Sequence, residues 1–541
     1  MDINEISLPQ KNRLASGYME GEEHVLSFFD YASADQGDFH TRLAELQERT
    51  FPRKELAKVL HDYNSRFSPS EAVISNIERL KQPESVAVIG GQQAGVLTGP
   101  MYTIHKCLSI IQLAKQQEKR LGVPVIPVFW IAGEDHDFAE VNHTYVLENN
   151  RIEKNTVPGA GSAKQPVTDI KIQKDQIWPW VEKIIRSYGE TKHTKSVLRL
   201  LDESLEDSET FVDWFAFIIM YLFKEQGLVL LDSGDPQLRA VEAPYFKKMV
   251  KNNGELNKEL LNQIHKLSEA GFDSAIDVDE NSANLFYHLN GERILLERDE
   301  EGNFRGKNNE CLMSEKELLS EVERHPNHIS NNVVTRPLMQ ELLFPTLAFI
   351  AGPGEIAYWG TLKEVFHLFG CRLPLLVPRL NITLVDRRTE KWLENQGFSA
   401  MEVLIDGIQS KKERWLASRK DWDIDLETRR VKTEIDRVHK QMRSLAVQVD
   451  PHLESIARKN IGHVFRQIDY FSDQIERSHR GRYERELGRF DRIEACLLPK
   501  NGFQERMWSV FPFLNRYGPD LVGRLTTCEF QFNHKHKVVF L

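Results

Sequence analysis

The amino-acid sequence predicts an α/β fold built on a covered parallel sheet, followed by a long antiparallel α-helical coiled-coil domain. Val86–Ile89 and Val125–Trp130 are short apolar runs that end near glycines, and an amphipathic segment from about Tyr102 to Glu118 separates them. Apolar strands in a strand–helix–strand order are typical of a parallel sheet with both faces covered. After Pro378 the sequence shows heptad patterning, which predicts long paired helices. Pro451 is the one proline between Pro378 and Pro499.

The other elements of the main domain follow in chain order. Residues 1 to about 83 carry apolar residues at helical spacing, which predicts helices. Further strands are predicted at Leu228–Asp232, Thr346–Ile350 and Leu375–Val377. We expect a discontinuous α/β domain over 1–380.

Two stretches, about 144–210 and about 250–335, interrupt the strand–helix pattern and are interpreted as insertions. Each contains a hairpin signal between apolar runs, Asn149-Asn150 in the first and Asn290-Gly291 in the second. Asn-Gly between such runs is the strongest short-range signal for a hairpin.

Residues 381–541 are predicted to form the helical hairpin and a tail that returns to the core. Asp450-Pro451 reads as an N-cap followed by proline at the first helical position, so the hairpin turns there. The apolar residues mostly alternate steps of four and three: Ile424, Val431, Ile435, Val438, Met442, Leu445 and Val449, then Ile461, Val464, Ile468, Phe471 and Ile475. We expect a homodimer through this seam; a helical bundle packed on the main body is the alternative.

Composition and charge exclude several classes of protein. The chain of 541 residues has a net charge of -10, which gives no basic field for nucleic acid. Its five cysteines form no CxxC pair, which argues against a structural zinc site. The N-terminus lacks the pattern of a signal peptide, and the apolar stretch around Val123–Ala132 is short of the roughly 20 residues that span a bilayer. These features predict a cytoplasmic protein that binds no membrane.

The first candidate site is the glycine-rich segment Gly90–Pro100, between a predicted strand and a predicted helix. Glycines there let the backbone approach a ligand, and a helix N-terminus attracts an anion. The segment lacks the Lys-Ser/Thr of a Walker A loop and the GxGxxG of a dinucleotide fingerprint. A tight strand-to-helix turn is the alternative. The candidate binding residues are Gly91, Gln92, Gln93, Thr98 and Gly99.

The second candidate is the acidic motif Glu134-Asp135-His136-Asp137 at the end of the next strand, followed by His143. In an open parallel sheet, ligands bind beyond the carboxyl ends of the strands, where both motifs lie. The four residues of the motif are candidate catalytic groups that could act as a general base or bind an ammonium group, and His143 is a candidate binding residue. An exposed acidic turn is one alternative. A metal site of His136, His143 and a carboxylate is another, although the spacing matches no HExxH arrangement.

The third candidate is the segment Phe349–Gly360, in which Gly352 and Gly354 flank a proline. Glu355, Tyr358 and Trp359 place a charge beside aromatic faces on which an adenine or sugar ring could stack; core packing of the aromatic residues is the alternative. Two arginines add candidate clamps for a carboxylate or phosphate. Arg336 precedes this strand and Arg379 follows the last one, and each could instead be an ordinary surface arginine.

Three long segments carry a resemblance to a known family: IGGQQAGVLTGPMYTIHK, PVFWIAGEDHDFAEVNH and FPTLAFIAGPGEIAYWGTLKEVF. Together they resemble the cysteine-adding enzymes of bacillithiol biosynthesis, and the resemblance extends over essentially the whole chain. It implies a Rossmann-like core with two connecting-peptide insertions, similar to the class I synthetase fold, and a coiled-coil domain.

The resemblance also implies an activity. Family members are expected to join cysteine to glucosaminyl-malate through an amide, the final step in making bacillithiol. It implies ATP, with an acyl-adenylate or acyl-phosphate intermediate, because a free carboxylate does not react with an amine at useful rates. A metal requirement stays open, and no metal ligand is assigned. A zinc-dependent amidohydrolase using the His136 region and a non-catalytic coiled-coil assembly protein are the alternatives.

Overall fold

A computed structural model describes residues 1–32, 36–159 and 164–541. The chain divides into two compact units. Unit 1 comprises Met1–Glu148, Ile152–Arg387 and Phe503–Leu541, and unit 2 comprises Asn149–Arg151 and Arg388–Gly502. The tail that follows the predicted helical hairpin therefore belongs to unit 1. No helix in these described ranges is long and apolar enough to cross a membrane.

The described strands are β1 (Asp2–Ile6), β2 (Val86–Gln92), β3 (Val125–Ile131), β4 (His143–Glu148), β5 (Arg151–Thr156), β6 (Val229–Asp232), β7 (Ser282–Leu289), β8 (Glu292–Arg298), β9 (Phe304–Gly306), β10 (Leu312–Met313), β11 (Ile329–Asn331), β12 (Thr346–Ala351), β13 (Leu375–Pro378), β14 (Ile382–Val385) and β15 (His536–Phe540).

The described α-helices are α1 (Arg13–Glu20), α2 (Glu23–Leu26), α3 (Gln36–Gln47), α4 (Arg53–Ser65), α5 (Glu71–Arg79), α6 (Tyr102–Leu121), α7 (Phe138–Val141), α8 (Lys174–Ser187), α9 (Thr194–Glu206), α10 (Phe211–Leu222), α11 (Pro236–Lys251), α12 (Asn253–Glu269), α13 (Glu315–Arg324), α14 (Thr335–Leu343), α15 (Pro353–Trp359), α16 (Lys363–Leu368), α17 (Arg387–Asn395), α18 (Ala400–Asp406), α19 (Gln409–Ala417), α20 (Ile424–Val449), α21 (Leu453–Arg482), α22 (Glu484–Leu497), α23 (Phe511–Tyr517) and α24 (Leu521–Thr526).

A five-stranded parallel sheet forms the centre of unit 1, in the spatial order β13-β12-β2-β3-β6. All five strands coincide with predicted ones, so the predicted covered parallel sheet is confirmed. Their side chains are buried on both faces, as Val88, Ile89, Val128 and Phe129 show with no exposed surface. This double burial explains why the strands are apolar at every position rather than at alternate ones.

The two insertions contain the predicted hairpins. Asn149 and Asn150 both have positive φ between β4 and β5, and so do Asn290 and Gly291 between β7 and β8. Positive φ at both central residues is the backbone of a type I′ turn, whose twist matches that of paired strands. The second insertion extends its hairpin into an antiparallel sheet of order β10-β9-β8-β7-β11.

A three-stranded sheet of unit 1, in the order β1-β15-β14, was absent from the sequence prediction. The N-terminal segment, predicted as helical throughout, begins with strand β1, which pairs antiparallel with the C-terminal strand β15; β15 also pairs in parallel with β14. The two ends of the chain thus stabilise one another, a pairing that local sequence patterns cannot encode because the strands lie at opposite termini.

In unit 2, helices α20 and α21 form the predicted antiparallel hairpin. The Thr428 hydroxyl donates to Ser472 Oγ at 3.1 Å, Lys432 pairs with Asp469, and His439 contacts Asn460 at 2.8 Å. The face of α20 toward α21 is therefore partly polar. Much of the predicted apolar seam points elsewhere, with side chains 43% to 74% exposed: Val431, Val438, Met442, Leu445 and Val449.

Candidate active site

The candidate site lies at the carboxyl edge of the parallel sheet, where the strand order reverses between β2 and β12. Such a reversal leaves a crevice in which open α/β sheets bind their ligands. Here the crevice is a cleft of about 400 Å³. Its lining residues are Gly91, Gln92, Gln93, Tyr102, Lys106, Trp130, Ala132, Asp135, Arg336, Pro337, Gln340, Phe349, Gly352, Pro353, Gly354, Glu355, Tyr358, Arg379 and Arg506.

The predicted site residues divide into two groups by position. The cleft is lined by Gly91, Gln92, Gln93, Asp135, Arg336, Gly352, Gly354, Glu355, Tyr358 and Arg379. Outside this lining lie Glu134, His136, Asp137, Thr98, Gly99, His143 and Trp359. All three predicted segments thus contribute to one cleft, but not through every residue proposed from the sequence.

The end of β2 brings backbone close to the cleft. A Cβ atom on Gly91 would lie 2.9 Å from the carbonyl oxygen of Trp130 in β3, so glycine is needed for the strands to stay paired there. Beyond the strand, Leu97, Thr98 and Gly99 all have positive φ, and the chain turns away into the core. Thr98 is buried rather than facing the cleft. These residues form a tight strand-to-helix turn, which is the alternative given above for Gly90–Pro100.

Asp135 is the member of the acidic motif that faces the cleft. Its Oδ1 accepts a hydrogen bond from Arg293 Nη1 at 3.1 Å, its Oδ2 accepts one from Gln93 Nε2 at 3.3 Å, and Arg336 Nη1 lies 3.6 Å from Oδ2. Burial alone would raise the pKa of Asp135, but the charges of Arg336 and Arg293 outweigh it, so the pKa lies below its ordinary value. The carboxylate therefore stays ionised at neutral pH.

Glu134, the neighbour of Asp135, points into the core instead. It is buried and forms an ion pair of 2.5 Å with Arg239, which also pairs with Glu242 at 2.8 Å. The backbone N–H of Asn331 donates to the same carboxylate at 3.4 Å. Glu134 thus ties the acidic motif to the second insertion, which is a positioning role rather than the catalytic one predicted for it.

The rest of the acidic motif lies at the edge of the site. His136 Nδ1 is 3.4 Å from Arg293, and burial together with that charge lowers the pKa of His136. Asp137 is an exposed carboxylate, with 63% of its side chain accessible. His143 packs edge-on against Tyr145 at 5.3 Å. In the part of the chain that the structure describes, no three His, Cys, Asp or Glu side chains cluster as a metal site would require, so the predicted alternative site of His136, His143 and a carboxylate is not assembled.

An ion pair between Lys106 and Glu355 forms the floor of the cleft. Lys106 Nζ, on α6, donates to Glu355 Oε2 and to the Gly91 carbonyl oxygen, both at 2.6 Å. The same Glu355 oxygen accepts the Gly352 N–H at 2.7 Å, which caps α15. Burial lowers the pKa of Lys106, and the charge of Glu355 opposes that shift. The pair joins the glycine-rich loop to the third predicted segment.

The aromatic residues of the third segment have different roles. Tyr358 lines the cleft, and burial next to Glu355 raises its pKa to about 12, so its hydroxyl stays protonated. Trp359 is buried in the core, with its ring 4.7 Å from that of Phe349, which is the packing alternative considered for it. A Cβ atom on Gly354 would meet open space, so the wall of the cleft at Gly354 consists of backbone alone.

The C-terminal tail completes the cleft. Arg379 Nη2 donates to Glu505 Oε1 at 3.1 Å and to Asn381 Oδ1 at 3.1 Å, and Nη1 donates to the Tyr102 carbonyl at 3.3 Å. The next residue of the tail, Arg506, lines the cleft at its exposed rim. Four cations therefore surround the cleft, against the two acids Asp135 and Glu355, which favours an anionic ligand.

Comparisons with known proteins agree with this architecture. Residues 1–380 match the family model described as "Bacillithiol biosynthesis BshC, N-terminal Rossmann-like domain", and residues 382–541 match the model for the C-terminal coiled-coil domain of the same family. The chain belongs to the BshC family. The Rossmann-like core and coiled-coil domain implied by the resemblance are confirmed.

Relatives of the BshC family match over their full lengths. Proteins from Geobacillus sp. (strain WCH70) and Geobacillus thermodenitrificans are 41% and 42% identical to the chain, over 100% of both sequences in each case. A protein from Bacillus cereus (strain Q1) is 41% identical with the same coverage. All three carry the name "Putative cysteine ligase BshC".

Sequence reasoning missed several charged residues of this BshC-family site. Lys106 had a usable signal, because it is a cation in the first turns of a helix that follows a glycine-rich loop. Arg293 had a weaker one, as a charge that begins an apolar run in a hairpin strand. Glu505 and Arg506 lie in a polar stretch without any pattern, so only the fold brings them to the cleft.

Proposed function

We propose that this protein is the ligase that adds L-cysteine to glucosaminyl-malate, the final step of bacillithiol biosynthesis. The observation that carries the proposal is the arrangement of charge in the cleft, where an ionised carboxylate, Asp135, lies among cations that include Lys106, Arg336 and Arg379. Membership of the BshC family and the names of the full-length relatives support it.

The acceptor of the proposed reaction matches this charge pattern. Glucosaminyl-malate carries an ammonium group on its sugar and carboxylates on its malyl part. Asp135 offers an anion for the ammonium group, and the excess of cations offers partners for the carboxylates. Charge complementarity of this kind discriminates against ligands of the wrong charge more than it adds affinity.

Amide formation requires the amine in its neutral form, close to an activated carbonyl carbon. The nitrogen lone pair forms the C–N bond, the bond from that carbon to its leaving oxygen breaks, and the amine gives up a proton to solvent water. A carboxylate with a lowered pKa is a weak proton acceptor, so we assign Asp135 the binding and orientation of the amine. Holding both reactants in a productive geometry can supply several kcal/mol of the rate enhancement.

ATP is the co-substrate that we propose for activating the cysteine carboxylate. The residues present fit a polyphosphate in charge, because Lys106 and Arg379 line the cleft together with the glycine backbone at Gly91 and Gly354. These side chains would hold phosphate oxygens. ATP would supply a better leaving group than the hydroxide of a free carboxylate.

We also propose that the protein acts as a homodimer through unit 2. The exposed residues Val431, Val438 and Leu445 are spaced seven apart on α20, and so are Met442 and Val449. This a/d spacing fits another helix of a coiled coil, and a second copy of the same hairpin presents the matching seam.

The experiment that tests the proposed reaction combines pure protein with glucosaminyl-malate, cysteine and ATP. Mass spectrometry should detect a product equal to the two reactants joined with loss of water, and its formation should require ATP and be matched by nucleotide consumption. Omitting cysteine should abolish the product. Nucleotide-independent product, or none at all from folded protein, would contradict the proposal.

A further inference from the structure

The cations around the cleft are not equivalent. Three of them are already neutralised by acids of the chain: Lys106 by Glu355 at 2.6 Å, Arg379 by Glu505 at 3.1 Å and Arg336 by Asp135 at 3.6 Å. The remaining lining cation, Arg506, forms no ion pair or side-chain hydrogen bond with any residue that the structure describes. Although it interacts with the charge of Glu505, its guanidinium keeps its hydrogen-bond donors for a ligand.

The tail holds Arg506 at the cleft by fixing the residues on either side of it. Gln504 is buried and exchanges two hydrogen bonds with the backbone of Leu384, at 2.8 Å and 2.9 Å. Glu505 is buried and turned toward Arg379. Two residues after Arg506, the Trp508 carbonyl accepts the Met101 N–H at 2.8 Å, next to the start of α6.

This anchoring has a specific electrostatic consequence. Glu505 is the carboxylate closest in sequence to Arg506, but its hydrogen-bonded ion pair is with Arg379, and it meets Arg506 only through a charge interaction at longer range. Consecutive residues of one short turn therefore face opposite ways, the acid inward and the base toward the cleft. A guanidinium at the cleft rim without an internal partner is suited to bind a carboxylate or phosphate through two hydrogen bonds.

We infer that Arg506 determines acceptor specificity by binding a carboxylate on the malyl part of the acceptor. The inference rests on the proposed function and names the residue that recognises the carboxylates, which distinguish this acceptor from an amino sugar without them. A nucleotide phosphate presents similar chemistry, so the test must separate the two sources of negative charge.

Steady-state kinetics with two acceptors make that separation. Glucosaminyl-malate is compared with methyl glucosaminide, which keeps the sugar amine and lacks the carboxylates. Arg506→Gln should raise KM for glucosaminyl-malate about tenfold or more, the scale of a charged hydrogen bond. The variant should leave KM for cysteine and KM for ATP within about twofold of the wild-type values. Its preference for glucosaminyl-malate over methyl glucosaminide should fall by the same factor by which KM for glucosaminyl-malate rises. An unchanged preference, or a rise confined to KM for ATP, would overturn the inference.

Calorimetric binding of glucosaminyl-malate without turnover separates this inference from the proposed reaction. Weaker binding by Arg506→Gln supports the role of Arg506 even if no ligation product forms. The absence of product would then refute only the proposed reaction. Equal binding by the wild type and the variant, or no binding by either, overturns the inference. Arg524→Gln, an arginine of the same tail that does not line the cleft, is the matched control and should bind as the wild type does.

Discussion

Lys106 Nζ lies 2.6 Å from Glu355 Oε2, although the two residues are 249 positions apart. The bond crosses the point where the sheet reverses its strand order, because Lys106 is on the helix after β2 and Glu355 is on the helix after β12. It therefore joins the two halves of the Rossmann-like core at the floor of the cleft. The same ammonium group holds the Gly91 carbonyl, so the geometry of the glycine-rich loop depends on it.

Lys106→Met should lower the rate of product formation about tenfold or more, the scale of a lost charged hydrogen bond. Methionine keeps much of the buried volume but removes the cation, and leaves Glu355 without its partner. Lys115→Met is the matched control, since Lys115 is an exposed lysine of the same helix outside the cleft. Equal activity of the two variants in the same assay would show that the Lys106–Glu355 pair plays no part in the reaction.

The stability of unit 1 should depend on pH through His536. Burial, helped by the charges of Arg379 and Lys537, lowers the pKa of His536 to about 4, and Thr383 Oγ1 lies 2.7 Å from its Nε2. The unfolded chain, with a histidine pKa of about 6.5, takes up this proton first as the pH falls. Stability is therefore lost between about pH 6.5 and 4, by at most about 1.4 kcal/mol per pH unit from this group.

His536→Gln keeps a hydrogen-bonding group for Thr383 and cannot be protonated, so the variant should lose less stability on acidification than the wild type. Urea denaturation at pH 8 and pH 5 measures the difference. Other buried histidines contribute in both proteins and cancel in the comparison. The same loss of stability in both proteins would show that His536 does not take up a proton on unfolding.

The proposed homodimer can be tested with two adjacent substitutions on α20. Leu445→Glu places a charge in the exposed apolar seam, whereas Ser444→Glu places the same charge beside the seam at another exposed position. Light scattering should give twice the chain mass of 62.7 kDa for the wild type and for Ser444→Glu, and the monomer mass for Leu445→Glu. A wild-type monomer at micromolar concentration would refute the dimer.

Much of the fold could be predicted because its signals are local. The five apolar strands, the Asn-Asn and Asn-Gly turns and the heptads of α20 each depend on neighbouring residues, and local rules cover them. The convergence of the three candidate segments also followed, because the carboxyl ends of parallel strands share one edge of the sheet. The pairing of β1 with β15 could not be predicted, because nothing local in Asp2–Ile6 identifies its partner.

The roles within the site were harder to predict for a physical reason. Glu134 and Asp135 are adjacent carboxylates, and one backbone turn after β3 decides which of them faces the core. Glu134 meets Arg239 and Asp135 meets Arg293, both from parts of the chain more than 100 positions away. The composition of the motif is the same whichever residue faces the cleft, so the sequence indicated an acidic site without identifying its functional member.

Asp135 provides the most direct test of the claim that ligation takes place in this cleft. Asp135→Asn and Asp137→Asn remove the same charge from two positions of one motif, one facing the cleft and one exposed to solvent. In the assay with glucosaminyl-malate, cysteine and ATP, Asp135→Asn should reduce product formation on the order of a hundredfold, the scale of a misplaced reactant, and Asp137→Asn should leave it within about twofold. Normal turnover by folded Asp135→Asn protein would place the reaction outside this cleft and contradict the account.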